Sequence, residues 1–282
     1  MNFHKSRALC LELLKDGRIA SGAENIIIYN KNTYKPDLII NDHSSPILYI
    51  KQLSSGFLAS CSEDKTVKIF KINENSYHLN QILEHKDCLK KIIELENKQL
   101  ISCCYKGISV FFNNNNEYKK YYEISTNGSC YSVVQTKYNE ICYSESSNNS
   151  ICFYNLHERK TTNIINNIES AGYWFEKMVM INRNLMLIGG HEIYLVNVNK
   201  YSLIKVMDPP DGIVDSICLL NENYFITGGR DTIAQWRIDD EDLIVISKKE
   251  KIHSGCILDL LKIRDGRIIS SGESDHLIRI LS

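Results

Sequence analysis

The chain has 282 residues, with 33 Lys and Arg against 34 Asp and Glu, and 43% of its residues are hydrophobic. A net charge of −1 supplies no basic field for nucleic acid or an anionic membrane, and no apolar run reaches membrane-spanning length. The length suits one large all-β domain over residues 1–282, and no break in composition marks a second.

A small-residue step recurs along the sequence at Ser21-Gly22, Ser60-Cys61, Ser102-Cys103, Ser144-Glu145, Gly189-Gly190, Thr227-Gly228 and Ser270-Ser271. The intervals are 39, 42, 42, 45, 38 and 43 residues. Repeat one runs from His4 through Leu11, turns at Asp16-Gly17, and continues past its step into Ile26–Tyr29 and Leu38–Ile40. Repeat two is the clearest. After His43 it reads as strands Ile47–Leu53, Phe57–Cys61, Thr66–Phe70 and Asn80–Leu83, with turns at Ser54-Ser55-Gly56 and Glu63-Asp64-Lys65. Repeat three carries His85, Ile92 and Ile108–Phe111. The asparagine run Asn113–Asn116 reads as a loop before Lys120–Ile124. Repeats four, five and six carry Val134, Val179 and Ile217 ten residues before the step. After it come Ile151–Tyr154, Ile193–Val196 and Ile233–Trp236. Repeat seven has His253, Leu260, Asp265-Gly266 and Ile278–Leu281.

Units of about 40–45 residues with several short strands predict a propeller. The expected architecture is all-β, a seven-bladed β-propeller of four-stranded antiparallel blades, with the last blade lacking its fourth strand. Only Met1, Asn2 and Phe3 precede His4, so the N-terminus offers that blade at most a stub. Either the sequence is a fragment of a longer product, or a partner donates the missing strand.

Residues Leu58-Ala-Ser-Cys-Ser-Glu-Asp-Lys-Thr-Val-Lys-Ile-Phe70 resemble the signature of the WD40-repeat family, with Phe70 at the place of its tryptophan. The resemblance extends over residues 4–281 and is strongest in repeats 1, 2, 6 and 7. It implies structural hydrogen-bonded sets within blades: His43, Ser60 and Asp64 with Phe70, and His253, Ser270 and Asp275 with Leu281. In repeat six, Thr227, Asp231 and Trp236 match, and Pro210 replaces the histidine. Repeats 3–5 lack the set, so packing is expected to hold those blades. Histidines spread one per blade are too dispersed for a single metal ion.

Ten cysteines with no C-x-x-C spacing read as free structural thiols in a reducing compartment, with no metal and no cofactor. The first five residues show no apolar signal region, which points to the cytoplasm, with the nucleus also open. No phosphate loop, nucleophile elbow or zincin spacing occurs. The expected function is therefore a non-catalytic scaffold or adaptor that binds partner proteins or peptides on its rim loops. The alternative is an enzyme that uses residues of the central channel. Three residues after each step come Glu24, Glu63, Tyr105, Ser147, Glu192, Arg230 and Glu273. A broken acidic ring favours a basic partner segment; ordinary turn solvation explains it equally. Trp174 stands alone at a position otherwise small or acidic. It reads as a rim anchor or as a side chain folded inward beside Phe175.

Overall fold

The computed structural model describes residues 3–166, 168 and 177–281. Twenty-seven strands and no helix are found among them. Blade one holds β1 (Cys10–Leu13), β2 (Ile19–Gly22), β3 (Ile26–Tyr29) and β4 (Pro36–Ile40), and blade two β5 (Ile47–Gln52), β6 (Leu58–Ser62), β7 (Thr66–Ile72) and β8 (Tyr77–Glu84). Blade three holds β9 (Leu89–Glu94), β10 (Leu100–Cys104), β11 (Gly107–Asn114) and β12 (Glu117–Ile124). Blade four holds β13 (Val133–Lys137), β14 (Glu140–Glu145), β15 (Ser150–Asn155) and β16 (Lys160–Ile165). Blade five holds β17 (Lys177–Met180), β18 (Leu185–Gly189), β19 (Ile193–Asn197) and β20 (Ser202–Met207). Blade six holds β21 (Ser216–Leu219), β22 (Tyr224–Gly228), β23 (Ile233–Asp239) and β24 (Asp242–Lys249). Blade seven holds β25 (Ile257–Lys262), β26 (Ile268–Gly272) and β27 (Ile278–Leu281). Every blade is an antiparallel meander, and the last has three strands.

A strand's place in its blade decides its side-chain pattern. The second strand of a blade has a neighbouring blade on each face, so neither face meets water. All five positions of β6 and all six of β14 are buried. Such strands lose the apolar–polar alternation of a half-exposed strand. They use small residues so that blades can approach: a Cβ on Gly22 would lie 2.7–2.9 Å from Cys10 Sγ, Ile47 Cγ2 and Ile50 Cδ1. The recurring step is therefore a packing requirement. Outer strands have free surface, and the first six residues of β8 alternate half-buried and exposed.

Turn chemistry follows the sequence with local departures. Gly17, Gly56 and Gly266 adopt φ of +92°, +92° and +89° in the first hairpins of blades one, two and seven. The Asn113–Asn116 run is not simply a loop. Asn113 and Asn114 end β11, and Asn115 and Asn116 take φ of 52° and 68° at a two-residue hairpin, a geometry asparagine tolerates. The fourth strand of blade two starts at Tyr77, three residues before the expected Asn80, because the Tyr77 ring packs edge-on against Phe70 at 5.9 Å.

The inner strands β1, β5, β9, β13, β17, β21 and β25 touch in sequence, and β25 returns to β1. The ring therefore closes between blades seven and one without a fourth strand in blade seven among the described residues. An apolar layer of Ala8, Leu11, Ile19, Ile27, Tyr29, Ile263, Ile269 and Ile278 fills this seam. Polar ties cross it. The Leu11 amide donates to Asp259 Oδ2 at 2.8 Å, Arg267 donates to the Tyr34 hydroxyl at 2.6 Å, and Arg264 donates to the Lys15 carbonyl. Arg7 meets Glu273 at 2.5 Å. Asp259 also meets Lys177 of blade five at 3.4 Å, so one carboxylate holds three blades.

Asp259→Ala strands the Leu11 amide and the Lys177 ammonium away from their shared acceptor. The expected loss is about 1–3 kcal/mol in urea denaturation, with a smaller loss for Asp259→Asn, which keeps one acceptor oxygen. Equal stability of wild type and Asp259→Ala would show that the seam rests on apolar packing alone.

Candidate functional site

The sets implied by the sequence differ from blade to blade. In blade two, His43 Nε2 accepts from the Ser60 hydroxyl at 2.7 Å, and Nδ1–H donates to Asp64 Oδ2 at 2.7 Å. Asp64 also accepts from the Thr66 hydroxyl at 2.6 Å. Phe70 adds no polar link and is fully buried between blades one and two. Blade seven repeats the arrangement, with His253 joined to Ser270 at 2.8 Å and to Asp275 at 2.9 Å, and with Leu281 half-buried. In blade six the Trp236 indole donates to Thr227 Oγ1 at 2.9 Å and stacks on Phe225. The Asp231 carboxylate accepts from its neighbour Thr232.

Blade three keeps half of the set. His85 Nε2 accepts from Ser102 at 2.7 Å and Nδ1 faces the Leu83 carbonyl at 3.0 Å. Blade one pairs His4 with Ser21 at 2.6 Å, and Ser21 donates to the Tyr29 hydroxyl at 3.2 Å. Blade four has Asn127 in place of the histidine, and its backbone N–H donates to the buried Glu145 at 2.6 Å.

Burial holds the imidazoles of His43, His85 and His253 below their usual 6.5. The carboxylates Asp64 and Asp275 only partly offset this for His43 and His253, and His85, with no such partner, falls to about 4. Burial pushes Asp64 up, but hydrogen bonds from Thr66 and His43 outweigh it and leave the carboxyl below its usual range. Asp275 follows the same balance, with the Leu277 amide and His253 as donors.

The rim positions scatter. Glu24 turns onto its own blade, accepting from the Lys5 amide at 2.8 Å, the Ser6 amide at 3.3 Å and the Ser6 hydroxyl. Glu192 accepts from the Tyr194 hydroxyl, and Glu273 holds Arg7. Glu63 is exposed and, among the described residues, its carboxylate has no partner. Arg230 is exposed. Tyr105 is half-buried, with its ring edge-on to Tyr131 at 5.9 Å and under the Lys90 ammonium at 4.9 Å. Trp174 lies outside the described residues.

Glu63 and Glu273 both line the mouth of the central channel. There a cavity of about 700 Å³ is lined by these two acids, Arg7, Lys90, Tyr131 and, deeper, Lys91. The other rim positions named above do not line it. Lys91 is nearly buried. It donates to Ser132 Oγ at 3.0 Å and to the Met178 carbonyl at 3.3 Å, bridging blades three, four and five. Burial lowers its ammonium to about 8. Lys91 and Asp259 are the residues that a scan of rim loops misses. Both sit one position before the inner-strand aliphatic, where the other repeats carry Cys10, Tyr49, Val133, Met178 and Ser216. A charge at that position signals a group directed into the channel. Among the described residues no cluster of three His, Cys, Asp or Glu is placed to hold a metal ion, and no helix is long and apolar enough to cross a membrane.

Two expectations follow. An imidazole held below 6.5 binds fewer protons folded than unfolded, so stability rises with pH in that interval. Unfolding free energy is expected to be level above pH 6.5 and to fall towards pH 4, by about 1.4 kcal/mol per pH unit for each imidazole that titrates only when unfolded. Asp64 and Asp275 extend the loss at lower pH. Urea denaturation across this range is the check, and a flat profile would exclude the buried neutral histidines. Separately, a Cβ on Gly272 would collide with His253 Nδ1 and Asp275 Oδ1. Gly272→Ala is therefore expected to separate that pair and cost about 1–3 kcal/mol, read as a lower thermal midpoint.

No curated protein matches the chain. The family model described as WD domain, G-beta repeat matches residues 35–71. That stretch runs from β4 through β7 as far as Lys71 and holds His43, Ser60, Asp64 and Phe70, so the matching unit is offset by one strand from the blade. The chain is therefore a seven-bladed β-propeller in which residues 35–71 match the WD40 repeat.

Proposed function

We propose that the protein is a non-catalytic scaffold whose channel mouth and surrounding rim hold a segment of a partner protein. The observation that carries this reading is the open cavity of about 700 Å³ lined by Glu63, Glu273, Lys90 and Tyr131, with Tyr105 packed edge-on against Tyr131. Tyrosines standing edge-to-face offer a broad apolar contact with polar tips, the composition that anchors protein interfaces. Glu63 supplies a carboxylate with no internal partner among the described residues, so a basic side chain on the partner gains an ion pair there without breaking one of those described. Glu24 and Glu192 serve the chain's own loops, so this reading centres the contact on Glu63, Glu273 and Tyr105, with Arg230 and Trp174 as outlying candidates. WD40 propellers commonly act in this way.

The competing enzymatic reading would draw on Lys91, Lys177 and Asp259. Their polar atoms are engaged with Ser132, the Met178 carbonyl and the Leu11 amide, and with each other. That engagement favours a channel braced from within over one poised for proton transfer.

Affinity capture with wild type, Glu63→Lys with Tyr131→Ala, and Glu74→Lys on the opposite face tests the reading. The mouth variant is expected to lose partners that wild type and Glu74→Lys both retain. Glu63→Lys alone should change stability by less than about 0.5 kcal/mol, as exposed substitutions do. Loss of the same partners in the Glu74→Lys variant would move the site away from the channel mouth.

A further inference from the structure

The outermost strand of blade six differs from its counterparts. β24 exposes three consecutive β-branched residues, Ile244 at 37%, Val245 at 41% and Ile246 at 48%. The other outer strands expose one large apolar residue, as at Ile39, Ile82, Tyr121 and Ile164, or two separated ones, Leu203 and Val206. β24 is the last strand of its sheet, so one row of its backbone groups faces outward. A long apolar edge of this kind is a template for strand pairing.

The flanking charges select the partner. The sequence from Asp239 reads Asp-Asp-Glu-Asp, then Leu243-Ile-Val-Ile246, then Ser247-Lys-Lys-Glu-Lys251. Within β24 an acid, Asp242, precedes the apolar centre, and two bases, Lys248 and Lys249, follow it. Fold this stretch antiparallel on a second copy of itself about Val245. Ile244 then faces Ile246 and Asp242 faces Lys248, twice by symmetry, and Glu241, in the turn that leads into β24, falls beside Lys249 at each end of the ladder. A parallel alignment of two copies would set acid on acid and base on base. Opposite charges directly across an antiparallel pair stabilise it, and like charges destabilise it. Within one chain these charges have only exposed partners: Lys205 meets Asp242 at 2.9 Å, and Lys248 meets Glu250 at 2.7 Å. Each can turn outward at little cost. The bulge that all the fourth strands share leaves Ile246 without a partner on β23, so its side chain is not committed to the blade.

We propose that β24 is a self-complementary edge through which two copies of this chain pair antiparallel about Val245. The contact is isologous, so it closes at a dimer and does not propagate. Two four-stranded sheets become one of eight strands. Antiparallel pairing reverses the strand directions of one ring relative to the other, so the two channel mouths open in opposite directions.

Light scattering on eluted fractions over a concentration series tests the proposal. Wild type is expected to shift from 32.5 kDa towards twice that mass as concentration rises. Lys248→Glu with Lys249→Glu makes both ends acidic, and Glu241→Lys with Asp242→Lys makes both ends basic. Each double variant alone is expected to stay at the single-chain mass. An equimolar mixture of the two is expected to recover the doubled mass, because acid then faces base at both ends. Circular dichroism of each variant confirms that the fold persists, since all four residues are exposed. A wild type that stays at single-chain mass up to its solubility limit overturns the proposal. So does a dimer that survives in either double variant, or a mixture that recovers nothing.

Discussion

A closed ring of blades depends on its seam. Strand packing between the other neighbouring blades joins units adjacent in the chain, and the packing of blade seven on blade one brings its distant ends together. Closing so long a loop costs conformational entropy that the seam must offset. Here it does so with a buried apolar layer and with Asp259, a carboxylate that reaches blades one and five from blade seven. The third-strand side chains of blade seven are less covered than those elsewhere. β27 has one buried residue in four, and β3 has four. Polar ties therefore bear more of the closure at this point than in the rest of the ring.

The sequence made the repeat legible because one physical demand is imposed seven times. Second strands buried on both faces need small residues at the step, and the inner strands need an aliphatic ten positions earlier. Both recur in phase from Ser21 and Leu11 to Ser270 and Leu260. The His–Ser–Asp sets of blades two and seven lie within single repeats, so spacing along the chain brings their members into view. Asp259 with Leu11, and Lys91 with Met178, are separated by 248 and 87 residues. No repeat period connects such partners, and only the closed ring makes them neighbours. The rim glutamates show the opposite failure. Spacing placed Glu24 and Glu192 in a ring with Glu63, yet spacing says nothing about whether a carboxylate turns outward or onto its own loop.

The two faces of the blade stack thus divide the work. Interiors are apolar layers shared by neighbouring blades, with polar sets that differ from blade to blade. Loops and outer strands vary freely, because no neighbour constrains them. The channel mouth with Glu63 and Tyr131, and the edge with Val245, both belong to this free set. Distinct surfaces of one rigid ring can therefore engage different partners without competing for the same residues.

The cysteines carry a further consequence. Seven of the ten are buried: Cys10, Cys61, Cys103, Cys130, Cys142, Cys152 and Cys218. Burial pushes the thiols of Cys61, Cys130 and Cys142 far above their usual range, so they are unreactive while the blades remain packed. They are spread over blades one, two, three, four and six. A thiol reagent therefore reads local opening, blade by blade, without any engineered probe. The molecule thus carries, in five of its seven blades, its own reporters of where the packing loosens.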